Sequence, residues 1–178
     1  MNRLAIVAIS LILVLFSSIV HAQTSPADLV VGGFLDVPWG TPRDQAKKII
    51  SQREGVTFNT AESNEQTIFF NGGVFSDFPV RYIALKFFDN QFYGAMVTIK
   101  PTTTVKTTWE DLVTGLTKKY GPAIYTHVHG SSATWFFPIE EIMCSDFGGN
   151  QVVITYENTS LKERAEEAHR QAIKTKDL

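Results

Sequence analysis

Tyr82-Ile83-Ala84-Leu85-Lys86-Phe87-Phe88-Asp89-Asn90-Gln91-Phe92-Tyr93-Gly94-Ala95-Met96-Val97-Thr98-Ile99 is the stretch on which the fold turns. Two apolar, β-forming runs flank a short polar turn at Asp89-Asn90, the signature of a hairpin. A second stretch repeats the plan: Ile142-Met143 leads to Phe147-Gly148-Gly149-Asn150-Gln151, and Val152-Val153-Ile154 and Tyr156 follow. Upstream of each hairpin lies one more apolar strand signal, Thr67-Ile68-Phe69-Phe70 and Thr134-Trp135-Phe136-Phe137. Such adjacent ring pairs put one ring of each on either face of a sheet.

A helix precedes each set of strands. Thr41 stands where a cap belongs, Pro42 suits the first helical position and Asp44 completes a capping box. Ala46, Ile49 and Ile50 form an apolar stripe, and Gly55 marks the stop. In the second helix Thr107 and Glu110 form the capping pair. Trp109, Leu112, Val113, Leu116 and Tyr120 make the stripe, Lys118 and Lys119 suit the negative end of the dipole, and Gly121-Pro122 ends it. Thr41, Asp44 and Gly55 match Thr107, Glu110 and Gly121 at a constant offset of 66 residues. After Asn158-Thr159-Ser160 a third helix is expected, with Ser160 and Glu163 as its capping box and a narrow stripe of Leu161, Ala165, Ala168 and Ala172.

The class is therefore α+β. It is an antiparallel sheet of about seven to eight strands with two packed helices and a C-terminal helix, and a tandem helix-plus-four-strand repeat is its suggested plan. Residues 34–158 form one domain with halves 34–100 and 101–158, residues 23–33 a flexible leader and residues 159–178 the last helix. Whether the strands form one sheet or two stays open.

The 178 residues are 44% hydrophobic, 12% aromatic and 19% charged, with a net charge of -2. That is enough apolar content for a core and too little charge for a disordered chain. Without a basic block, nucleic acid is excluded as a general partner. Residues 1–22 read as a secretory signal: Arg3 supplies the charge, Leu4 to Phe16 the apolar stretch and Val20-His21-Ala22 the cleavage site. The apolar run falls short of a membrane span, so no transmembrane anchor is expected after cleavage, and a periplasmic or secreted product follows. Cys144, the single cysteine, excludes an internal disulfide framework and sits in an apolar run that suits burial.

Motifs for catalysis are mostly missing. The sequence has no Gly-x-Ser-x-Gly elbow, no phosphate loop and no dinucleotide fingerprint, and nothing in it calls for a cofactor. His127 and His129 are the best metal candidate, because residues two apart on a strand face one side; Asp146, Glu140 or Glu141 would be the third ligand. Glu140-Glu141 and Glu166-Glu167 are adjacent carboxylates that point apart rather than converge.

Pro38-Trp39-Gly40-Thr41 opening a helix, Phe88-Asp89-Asn90 in a hairpin, Lys119-Tyr120-Gly121-Pro122 closing a helix, and Trp135 followed by a strand ending in Tyr156 resemble a group of small exported bacterial proteins of unassigned function. The resemblance spans about residues 34–160 and implies an exported α+β domain with no catalytic residues to carry over. In outline the chain is also similar to tandem helix-plus-sheet modules of the β-lactamase-inhibitor-like and outer-membrane-assembly-lipoprotein-like kinds, which bind proteins.

An exported, non-enzymatic binding module of the bacterial envelope is the leading expectation. Its aromatic sheet face, or the groove between sheet and helices, would contact a protein, peptide or apolar ligand through Trp39, Phe70, Tyr93, Trp135 and Phe137. The competing class is a metal-dependent or hydrolytic enzyme using His127, His129 and Asp146. A structural component of an envelope complex is a third class.

Overall fold

The structure, a computed structural model, describes residues 31–126, 131–146 and 150–176. In chain order it runs β1 (Gly33–Phe34), β2 (Val37–Pro38), α1 (Arg43–Ser51), β3 (Val56–Asn59), β4 (Thr67–Gly72), β5 (Val74–Phe75), β6 (Phe78–Phe88) and β7 (Gln91–Ile99). Then come α2 (Val105–Tyr120), β8 (Ile124–Thr126), β9 (Ser131–Phe136), β10 (Glu140–Asp146), β11 (Val152–Asn158) and α3 (Thr159–Lys176). The proposed signal peptide, most of the leader, His127, His129 and Phe147-Gly148-Gly149 lie outside the described residues.

The fold is α+β, and its nine-stranded sheet is one sheet. The order is β3-β4-β6-β7-β11-β10-β9-β8, with β5 pairing on β6 beside that path, and every pairing is antiparallel. Each of α1 and α2 is thus followed by a four-strand meander, and the meanders join through their last strands, β7 and β11. The ninth strand is the two-residue β5, which follows the Gly72-Gly73 turn. Gly72 takes φ +78°, and a Cβ there would collide with the Gly55 carbonyl. Asp89 and Asn90, with φ 49° and 59°, turn β6 into β7 as the hairpin reading requires.

Alternation divides the sheet into two unlike faces. Ile68, Phe70, Ile83, Leu85, Val97, Ile99, Ile142, Cys144 and Ile154 are buried on one face. This face packs beneath Ala46 and Ile50 of α1 and Trp109, Leu112, Val113, Leu116 and Tyr120 of α2. The β1–β2 hairpin completes the layer: Phe34 lies 5.2 Å from the Tyr156 ring and 6.3 Å from Phe75.

Helix starts differ from the sequence expectation in an instructive way. Thr41 does not cap α1. Its hydroxyl donates to the Pro38 carbonyl, its own carbonyl accepts from Phe92 N–H, and the Arg43 N–H is taken by Asn90 Oδ1 at 3.1 Å from the hairpin turn. A tertiary contact has replaced the local cap. In α2 the cap is Thr104, three residues before the expected Thr107, whose N–H it accepts at 3.1 Å. In α3 it is Asn158, accepting from Leu161 N–H at 2.9 Å, rather than Ser160. Gly121, φ +85°, ends α2 as read, whereas α1 stops before Gly55.

Candidate functional site

Three of the five aromatic residues expected at a surface are core residues. Phe70 is 0% exposed, Trp135 2% and Phe137 9%, whereas Phe136 is 57% exposed. One ring of each adjacent pair does point outward, but it is Phe69 and Phe136. Ile68 and Phe70 share the helix-covered face, as do Trp135 and Phe137, because residues two apart must. The Trp135 indole N–H donates to the Gly121 carbonyl at 2.8 Å, tying β9 to the end of α2, and Phe137 meets Tyr120 edge-on at 5.8 Å. The groove expected between sheet and helices is occupied by Phe34 and Val37 of the β1–β2 hairpin.

Trp39 is half-buried and structural. Its ring stacks on Phe92 at 5.0 Å, and its indole N–H donates to Glu140 Oε1 at 2.6 Å. The buried Glu140 carboxylate also accepts from Val31 N–H at 2.6 Å and from Gly32 N–H at 2.7 Å. One carboxylate therefore clasps three donors of the N-terminal segment, which ties Val31 and Gly32 to β10. Charge-assisted hydrogen bonds of this kind are what makes burying a carboxylate tolerable. Nothing in the sequence near Glu140 announces this role.

The second face of the sheet is the one left open. Its middle row, read across the registers, is Ile124-Thr134-Met143-Thr155-Met96-Ala84-Phe69-Asn59. Met143, Met96 and Phe69 are half-buried in it. The row towards the β10–β11 turn is mainly hydroxyl and amide, including Ser132, Ser145, Thr98, Tyr82 and Asn71. Ser132 and Ser145 are joined there through their hydroxyls at 2.6 Å. The opposite row holds Phe136, Glu141, Glu157, Gly94, Lys86 and Thr67.

Helix α3 packs against β6, β7, β10 and β11 on that charged row. Among the described side chains of the helix only Leu161, Lys162, Ala165, Ala168 and that of its first residue are half-buried, and His169 to Lys174 are exposed. The stripe is small, so ion pairs supply much of the attachment: Glu157 meets Lys162 at 2.6 Å and Lys86 at 3.0 Å. Burial alone would raise the Glu157 pKa, but the two lysines outweigh it and hold the carboxyl below its usual range. The hydrogen bond to Glu157 in turn raises Lys162. Tyr93, the fifth expected aromatic residue, is half-buried beside this cluster; burial first and Glu157 second hold its phenol above the usual value.

The metal reading finds its carboxylates dispersed. Asp146 pairs with Ser131 at one end of β10, while Glu140 and Glu141 stand at the other end, about 20 Å away at strand rise. Glu140 serves the N-terminal clasp and Glu141 faces the other side of the sheet, so the two point apart as expected. Among the described residues no group of three His, Cys, Asp or Glu could hold a metal ion, and His127 and His129 lie outside them. Burial, with Asp146 nearby, pushes the Cys144 thiol up to about 12, which leaves it a packed, unreactive group.

Two cavities of about 580 and 630 Å³ flank the β1–β2 turn, sharing Leu35, Arg53 and Val74 in their walls. Arg53 is paired there with Asp36 at 3.0 Å. Charges of both signs line the space, and no set of polar groups converges on one point.

No helix among the described residues is long and apolar enough to cross a membrane. Comparison with known protein families, with curated proteins and with solved structures gives no match.

Proposed function

We propose that the chain is an exported, non-enzymatic binding module of the bacterial envelope that holds a protein or peptide partner on the open face of its sheet. One observation carries the reading. One layer of helices and the β1–β2 hairpin covers one sheet face, while the other keeps a middle row with Met143, Met96 and Phe69 half-buried and bounded by hydroxyls on one side and α3 on the other. Apolar surface left uncovered, with thioether side chains that adapt to different shapes, is characteristic of protein interaction sites. The signal-like segment at residues 1–22 and the resemblance to small exported bacterial proteins support the envelope assignment. The dispersed carboxylates and the inert Cys144 favour binding over catalysis.

Site-directed photo-crosslinking tests the reading. A photoreactive residue at Met96 or Met143 should capture an envelope protein in living cells, whereas the same residue at the exposed Ser160 should not. Met96→Lys should abolish capture while leaving the unfolding midpoint nearly unchanged. Equal capture from all positions, or none from the sheet face, would refute it. N-terminal sequencing of the exported chain should begin at Gln23.

A further inference from the structure

The two edges of the sheet are treated differently. At β3, the Val56 N–H donates to the Arg53 carbonyl of its own flanking turn. Lys47 lies 3.6 Å over the Phe58 ring beside it. That edge is thus partly closed by its own flanking chain and guarded by a lysine. At the other end β8 pairs with β9 alone among the described residues, and all three of its side chains are exposed. Ile124 is 60% exposed and Tyr125 51%, while Phe136 and Ile139 add exposed apolar surface nearby. Sheet edges are usually guarded by lysine, proline or a bulge, and β8 contains none of these.

Charge points to what meets this edge. From Gly121 to Ile139 the sequence contains no Asp, Glu, Lys or Arg, in a chain whose net charge is -2. A two-fold interface sets each residue against the same surface of its copy, so any formal charge near the axis meets its like. A neutral edge is free of that penalty, and it offers a charged partner nothing to pair with.

We propose that this edge is a self-association surface, on which β8 of one copy pairs antiparallel with β8 of a second copy about a two-fold axis. Ile124 lies on the open face of the sheet, diagonal to its own copy across such a ladder, so pairing removes both isoleucines from water. A three-residue ladder is short, so the dimer is weak, with a dissociation constant on the order of 10⁻⁴ M.

Sedimentation velocity of the mature chain from about 10 µM to 1 mM at neutral pH should show a monomer–dimer equilibrium. Ile124→Lys and Ile124→Glu replace an exposed side chain, and each should weaken the dimer about tenfold or more. An equimolar mixture of the two should restore it. Amide exchange at the β8 N–H groups that point away from β9 in the unsubstituted chain should slow as concentration rises, which tests the contact without any substitution. A wild type that stays monomeric across the range, or a dimer indifferent to both substitutions, overturns the proposal. An added extended peptide that protects β8 while the chain stays monomeric also overturns it, in favour of a foreign strand. The proposal is independent of the partner face, since Met96→Lys should leave this equilibrium unchanged.

Discussion

Alanine at Trp135 and alanine at Phe136 should behave as opposites, although the residues are neighbours. Trp135→Ala empties a core site and strands the Gly121 carbonyl, and should cost about 3–5 kcal/mol in denaturant unfolding. Phe136→Ala should change stability by less than about 0.5 kcal/mol. Glu140 allows an equally sharp test. Glu140→Ala removes the acceptor of three donors and should cost about 2–4 kcal/mol, with faster amide exchange at Val31 and Gly32 and a shift in Trp39 fluorescence. At this scale the sequence was legible in kind but not in phase. Adjacent rings had to part across the sheet, yet nothing local to Phe69-Phe70 or Phe136-Phe137 says which ring meets the helices, and Phe70, Trp135 and Phe137, expected at the surface, lie on the covered face. The clasp at Glu140 joins residues more than 100 positions apart, and no local pattern encodes such a contact.

Among the elements, α3 is the one whose attachment depends on charge. The Glu157 pKa is lower in the folded chain than when unfolded, so its contribution is present above the usual carboxylate value and is lost as pH falls through the folded one. Lys162 is raised, so its contribution holds below the usual ammonium value and disappears as pH rises through the folded one. The helix is therefore held most firmly between roughly pH 5 and pH 10. Glu157→Gln should cost about 1–2 kcal/mol at neutral pH, and the difference from wild type should close as pH falls below about 4. Thermal melts across that range check it. Helices and hairpins were readable because their periodicity and turn residues are local. The starts of α1, α2 and α3 differ from the expectation for two reasons: Asn90 of the distant hairpin turn takes the Arg43 N–H that a Thr41 cap would take, whereas α2 and α3 begin earlier, at the caps Thr104 and Asn158, which leaves Thr107 and Ser160 inside the first turn.

Over the whole molecule, the β7–β11 pairing couples the two meanders into one sheet, with Val97 opposite Ile154 at its centre. Trp109 and Trp135 report on the second half, and Trp39, stacked on Phe92 and bonded to Glu140, on the join between the halves. Their fluorescence transitions in denaturant should share one midpoint with the circular dichroism transition, and two separated midpoints would show halves that fold alone. Two meanders do follow two helices, but the punctuation repeated 66 residues apart does not mark them, since Thr41 and Thr107 are not caps and α1 stops before Gly55; the joining of last strand to last strand also leaves no mark on either sequence.

The Glu140 clasp has a bearing on how the chain is made. A ribosome releases Val31 and Gly32 early, but the carboxylate that receives them follows 109 and 108 residues behind. Until then those two N–H groups wait without their acceptor, and the newborn polypeptide closes only when its last strands arrive.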